Sequence, residues 1–219
     1  MAARTLSIDT DGGPVSGLWL KPVRAHACLV LAHGAGAGMT HRAMVAVADG
    51  LAERGIATLR FQFPYMEHGK RRPDSPAVAQ AAVRAACAEA VRLSAGLPIY
   101  AGGRSFGGRM TSQAQAAAPL PEVRGLVFFA FPLHLAGKPA VTRADHLRDV
   151  KIPMLFLQGT RDTLAELPLL QEVVAGLGRR AELVLAPDAD HSFHVPVKSG
   201  RKDAAVLAGL LDTAAAWMT

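Results

Sequence analysis

Cysteine is nearly absent from the sequence: Cys28 and Cys87 are the only two in 219 residues. They share no C-x-x-C spacing, which excludes a disulfide framework and a cysteine-based metal site. Both sit in apolar or Ala-rich stretches and read as small core residues. Aromatic residues make up only 5% of the chain, so Ala, Val and Leu must build most of the core. No apolar run approaches the length of a membrane span, and Met1 to Asp9 carries no signal-peptide pattern. The expectation is a cytoplasmic protein with no membrane partner. Internal repeats and low-complexity linkers are missing too, so residues 1–219 are expected to form one domain, long enough to bury its own core.

A surplus of positive charge is present, with a net charge of +6. Its arginines are scattered along the chain. The one tight cluster, Lys70-Arg71-Arg72, has no interleaved aromatics and no nucleic-acid motif around it. It reads as a solvated loop, with attraction of an anionic substrate as the weaker alternative. No nucleic-acid partner is expected.

Short apolar or β-branched runs alternate with longer Ala/Leu/Glu/Arg stretches, the pattern of βα units on a mostly parallel sheet with helices on both faces. Thr5–Asp9 and Val15–Lys21 flank Asp11-Gly12-Gly13-Pro14 and read as an opening hairpin. Further strands are expected at Cys28–His33, Ala57–Phe63, Pro98–Gly102, Gly125–Phe131, Met154–Gln158 and Ala181–Ala186. Helices are expected at about Thr40–Arg54, Pro76–Ser94 with Ser75 as N-cap, Phe106–Ala118, Leu164–Leu177 and Lys202–Trp217. Between Pro132 and Lys151 there is room for a helical turn or two, too little for a lid with its own core.

The chemistry concentrates at strand ends. Gly103-Arg104-Ser105-Phe106-Gly107 matches G-x-S-x-G. The pattern is weak alone, but here an apolar strand precedes it and a helix follows, the context of a nucleophile elbow. Small residues two before and two after the serine let neighbouring elements pass close by. Serine needs a base. His191 follows the last strand within a short acidic loop and is the candidate; His194 is the competitor. Asp162, directly after the penultimate strand, is the candidate acid that orients the imidazole. Asp188 and Asp190 are the alternatives, although their place on the histidine's own loop suits turn formation better. Backbone N–H groups of Phe106 and of Ala35, in the turn His33-Gly34-Ala35-Gly36-Ala37-Gly38, are the expected oxyanion donors. His33 reads as a brace for that turn. Tyr65 and Met66 are candidate walls of a substrate pocket, with ordinary loop packing equally open. His134 is a candidate substrate-binding residue, with Lys138 beside it; both could equally cap a loop.

Taken together these segments resemble a branch of the α/β-hydrolase superfamily, the small dienelactone-hydrolase-like group. That group includes testis-expressed hydrolase-like proteins and the hydrolase-like domain of a nonspecific-lethal chromatin-complex subunit. The resemblance runs through the turn at His33–Gly38, Arg60-Phe61-Gln62-Phe63-Pro64-Tyr65-Met66 with Arg71-Arg72-Pro73-Asp74, and Gly103 to Met110. It continues in Pro132 to Pro139, Gln158 to Asp162 and Asp190-His191-Ser192-Phe193. It implies the α/β-hydrolase fold, the triad Ser105, His191 and Asp162, the same oxyanion turn, no metal and no organic cofactor. Gln62 stands where the group has Asn, a change that touches the pocket wall and not the triad. Dienelactone hydrolases proper use a cysteine nucleophile, so Ser105 argues against that particular reaction. The expected activity is hydrolysis of a small ester or thioester through an acyl-enzyme. The rival reading is a hydrolase-fold interaction scaffold with little or no catalysis. Against it stands the joint presence of nucleophile, base, acid and oxyanion turn.

Overall fold

The computed structural model describes residues 2–219. One eight-stranded sheet runs through them: β1 (Arg4–Ile8), β2 (Val15–Leu20), β3 (Ala27–Ala32), β4 (Ile56–Phe61), β5 (Ile99–Arg104), β6 (Val123–Phe129), β7 (Met154–Gly159) and β8 (Ala181–Ala186). Its spatial order is β1-β2-β4-β3-β5-β6-β7-β8. The opening hairpin is antiparallel and β2 joins β4 antiparallel; every later pairing is parallel. Helices α1 (Arg42–Glu53), α2 (Pro64–Glu67), α3 (Pro76–Ser94), α4 (Phe106–Ala117), α5 (Leu167–Leu177) and α6 (Asp203–Trp217) fill the connections.

Strand alternation divides the core into two layers. Cys28, Val30 and Ala32 of β3 face α3, α4 and α5 together with Leu59, Ala101, Phe128 and Phe156. Ala27, Leu29 and Leu31 face α1 and α6 together with Val127, Phe129, Leu155 and Leu157. The central strands are therefore buried on both faces, which is why they read as unbroken apolar runs. Helix α1 buries Met44, Val47, Ala48 and Leu51, the i, i+3, i+4, i+7 stripe of a helix lying on a sheet. Both cysteines are free and fully buried, and burial pushes each thiol up to about 12.

Several boundaries differ from the sequence expectation, each for a local reason. Strand β6 starts and ends two residues earlier than expected; its end falls where Ala130 takes a left-handed φ of 59° and breaks the ladder. Helix α5 starts at Leu167, not Leu164, because the preceding residues turn around the Asp162 carboxylate, which accepts the Leu164 N–H. Ser75 is the N-cap of α3, but its side chain makes no capping hydrogen bond. The short helix α2, which carries Tyr65 and Met66, was not expected. Between β6 and β7 lies only an eight-residue 3-10 helix, Thr142–Asp149, so nothing the size of a lid covers the carboxyl edge of the sheet.

Candidate active site

Ser105 stands between β5 and α4 with φ 50° and ψ −115°. A non-glycine residue there is strained, and the surroundings hold it. Its N–H donates to the Phe129 carbonyl at 3.0 Å, and its own carbonyl accepts from the Arg109 N–H at 3.1 Å. The tight turn requires bare backbone on both sides. A Cβ on Gly103 would lie 2.3 Å from the Ala32 carbonyl oxygen, and one on Gly107 2.4 Å from the same atom.

The serine hydroxyl lies 2.9 Å from His191 Nε2. On the other side of the ring, Nδ1 lies 2.7 Å from Asp162 Oδ2. The acid's side chain is fully buried, while the imidazole is 23% exposed. The carboxylate also accepts from Leu164 N at 2.8 Å and from the Gln158 side-chain amide. With three donors on two oxygens, the carboxylate is fixed in direction as well as place.

The Gly-rich turn runs beside Ser105: a Cβ on Gly34 would stand 3.8 Å from Ser105 Cβ. Among the described residues, neither the Ala35 N–H nor the Phe106 N–H has a protein acceptor, whereas Gly36 and Ala37 donate to Tyr65 Oη and to the Gly34 carbonyl. His191 also lines an open cleft of about 440 Å³ with Arg161, Thr163, Asp190, His194 and Pro196.

Comparison with known proteins agrees with this architecture. Residues 25–219 match the family described as "Alpha/beta hydrolase domain". The chain belongs to that family. Among solved structures, this hydrolase resembles a lidless α/β serine hydrolase from Xanthomonas campestris at 22% identity, covering 99% of this chain and 95% of that one, with a TM-score of 0.77. An α/β serine hydrolase homologue from Coxiella burnetii shares 20% identity over 98% of each chain, TM-score 0.78. A dienelactone hydrolase from Anabaena variabilis shares 21% identity over 98% of this chain and 95% of that one, TM-score 0.78. At these identities the likeness is one of fold.

Other residues singled out in the sequence fall in different places. His194 lies away from the nucleophile, exposed, with Nδ1 2.8 Å from Asp203 Oδ2 at the start of α6. That carboxylate raises the imidazole above its ordinary range and is itself lowered by the pairing. Asp190 shapes the histidine loop, its Oδ1 accepting from the backbone of Ser192 and His194. Asp188 is exposed, with a left-handed φ of 61°. His33 braces the oxyanion turn: Nε2 accepts the Phe63 N–H at 3.0 Å, which puts the proton on Nδ1, 2.8 Å from the Gly34 carbonyl.

Two expected pocket residues are engaged with the backbone. Tyr65 is 1% exposed, and its hydroxyl accepts the Gly36 N–H at 3.2 Å, so it supports the oxyanion turn from behind. His134 is 2% exposed; Nδ1 donates to the Leu135 carbonyl and Nε2 accepts the Glu166 N–H, leaving neither nitrogen for a ligand. Met66 is half-buried against the core, and Lys138 closes an exposed turn with Leu135.

Two supporting residues, Gln158 and Arg104, escaped the sequence reading, and a third, Gln62, was read there only as pocket wall. Gln158, fully buried on β7, accepts the Phe131 N–H and donates to Asp162, tying β6 to the acid. Arg104 donates to the His191 carbonyl and to Ser192 Oγ, both at 3.2 Å, joining the elbow to the histidine loop. Gln62 accepts the Met39 N–H at 2.9 Å, and its amide fills the space beside Gly38 that a Cβ would need. The only sequence signal for the first was a lone amide in an apolar strand.

Two further histidines make stability sensitive to acid. Burial lowers His33, and burial with the nearby Arg109 charge lowers His146 to about 4. Each is neutral in the folded chain, whereas the unfolded chain takes up a proton near 6.5. For His146 the unfolded state therefore binds more protons between pH 6.5 and about 4, and His33 acts in the same direction, so stability falls as pH falls, by at most about 1.4 kcal/mol per pH unit per group. Urea unfolding at pH 7 and pH 5 is expected to give a lower midpoint at pH 5. His146→Gln should flatten part of that slope; an unchanged slope would remove His146 from the account.

Proposed function

We propose that this α/β hydrolase is a single-domain serine esterase or thioesterase whose triad is Ser105, His191 and Asp162. The observation that carries the reading is the unbroken chain from Ser105 Oγ to His191 at 2.9 Å and from His191 to Asp162 at 2.7 Å, set beside two unpaired N–H groups. Asp162 holds the proton on Nδ1, leaving Nε2 to accept the serine proton. Ser105 Oγ attacks the carbonyl carbon, and the resulting oxyanion accepts from the Phe106 and Ala35 N–H groups. As the tetrahedral intermediate collapses, the Nε2 proton passes to the departing alcohol or thiol. His191 then takes a proton from water as the hydroxide oxygen bonds the acyl carbon, and returns that proton to Ser105 Oγ as the carbon–Oγ bond breaks and the acid is released. Esters and thioesters suit this open site better than peptides, because their leaving groups are better. Within the family, the motifs from His33 to Phe193 favour the dienelactone-hydrolase-like branch with the testis-expressed and nonspecific-lethal-complex relatives.

Fluorophosphonate labelling of the wild type beside Ser105→Ala tests the assignment. A single adduct that disappears in the variant is expected; an adduct that persists would place the nucleophile elsewhere. Because no lid covers the sheet edge, the rate with a medium-chain ester should pass smoothly through the substrate's solubility limit. A jump when droplets form would mean that a mobile cover exists.

A further inference from the structure

Arg109 lies one helical turn beyond Ser105, its N–H bonded to the serine carbonyl. The other half-buried arginines are all engaged. Arg54 reaches Asp212 and two carbonyls, Arg84 the carbonyls that end α4, Arg104 the histidine loop and Arg180 the Val150 carbonyl. Arg109 is the exception. Among the described residues its guanidinium has no hydrogen bond and no carboxylate partner, and its Nε is enclosed with nothing to bond. Five N–H donors in a fixed fork are left unspent.

The segment packed over this part of α4 adds a second cation. Arg143, on the 3-10 helix, uses one nitrogen to bond the His134 carbonyl at 3.1 Å. Its charge bears directly on Arg109, where burial and then Arg143 lower the guanidinium below its ordinary range. His146 on the same 3-10 helix is held 2.7 Å from Ser112 Oγ and is kept neutral. Asp145 and Asp149 act on His146, and neither forms an ion pair with Arg109 or Arg143. The two cations lie on elements packed against each other, and among the described residues neither has a carboxylate partner. That arrangement is unfavourable in the empty protein and becomes favourable once an anion lies between them.

We propose that Arg109 and Arg143 form an anion subsite beside Ser105, and that the substrate is an ester or thioester carrying a carboxylate a few bonds from the scissile carbonyl. The proposal rests on the serine-hydrolase reading for its reaction, though not for its binding. A guanidinium fork matches a carboxylate with two parallel hydrogen bonds. One helical turn is about 5.4 Å, and helical side chains lean back toward the N-terminus, so a hemiester of a four- to six-carbon diacid spans roughly the distance from fork to nucleophile. An unattached phosphate offers the same charge with a different shape.

Two measurements test this. In calorimetric titration, glutarate should bind the wild type saturably, weaken roughly tenfold or more in Arg109→Gln, recover in part in Arg109→Lys, and bind unchanged in Arg124→Gln, which removes an equal charge from an exposed position on β6. Tighter binding of inorganic phosphate than of glutarate, or binding of neither, would overturn the assignment. In the second measurement, monoethyl glutarate is compared with ethyl valerate by proton release. The wild type should favour the anionic ester in kcat/KM, and Arg109→Gln should lose that preference through KM. Equal losses on both esters would mark Arg109 as structural. Arginine-dependent glutarate binding without Ser105 labelling would sink the hydrolase reading and leave the subsite standing. Labelling and hydrolysis without any anionic preference would do the reverse.

Discussion

Ser105→Ala and His191→Ala are each expected to lower kcat on an activated ester by roughly 10⁴-fold or more, because triad members act as a unit and removing one disables the others. The two effects should not add: the double variant should be about as slow as either single. Asp162→Asn should cost somewhat less, on the order of 10³–10⁴-fold. The carboxamide offers the imidazole an NH₂ where a carboxylate stood, which favours the wrong tautomer. Asp190→Asn and Asp188→Asn are the controls, since Asp190 bonds only loop amides and Asp188 is exposed. If either control proved as damaging as Asp162→Asn while the latter was mild, the acid assignment would fall. Steady-state kinetics with circular dichroism on each variant settles the matter.

Gly107→Ala is expected to be strongly damaging to the fold around the site. Its new carbon would lie 2.4 Å from the Ala32 carbonyl oxygen and 2.6 Å from that of His33. Both obstacles are backbone at the end of β3, so no side chain can swing aside. Relief requires α4 to lift from the sheet, at about 3 kcal/mol or more. Gly176→Ala is the contrast. That glycine sits inside α5 with nothing within 4 Å of the added carbon, so the change should stabilise by up to about 1 kcal/mol through helix propensity. Urea melts of the two variants should move in opposite directions. A Gly107→Ala protein that melted like the wild type would show that the close approach at the elbow can relax.

The outcome shows what a linear pattern can carry. The residues the structure joins by hydrogen bonds, Ser105, His191 and Asp162, were legible because each follows the carboxyl end of a strand, and strand ends can be read from apolar runs. The order of elements was legible for the same reason. Direction was not. Tyr65 and His134 also follow strands, but in three dimensions Tyr65 turns its hydroxyl to a backbone N–H and His134 engages both ring nitrogens with the backbone. Periodicity says nothing about which way a loop residue points. The early end of β6 escaped because the break is made by Ala130 in a left-handed conformation, with no glycine to announce it. Gln158, Arg104 and Gln62 take their meaning from partners 27, 87 and 23 positions away in the chain. Such long-range hydrogen bonds have no signature in local composition.

The oxyanion turn owes its shape to one short stretch of chain. Arg60 donates to the Met39 carbonyl, Gln62 accepts the Met39 N–H, the Phe63 N–H donates to the His33 ring and the Tyr65 hydroxyl accepts the Gly36 N–H. Fixing the six residues from Gly34 to Met39 afresh in each catalytic cycle would cost on the order of 6–12 kcal/mol in backbone entropy. Here that ordering is completed once, during folding. The activation entropy of acylation should therefore contain no contribution from loop closure, and cooling should slow this protein no more than the chemistry of the ester itself demands.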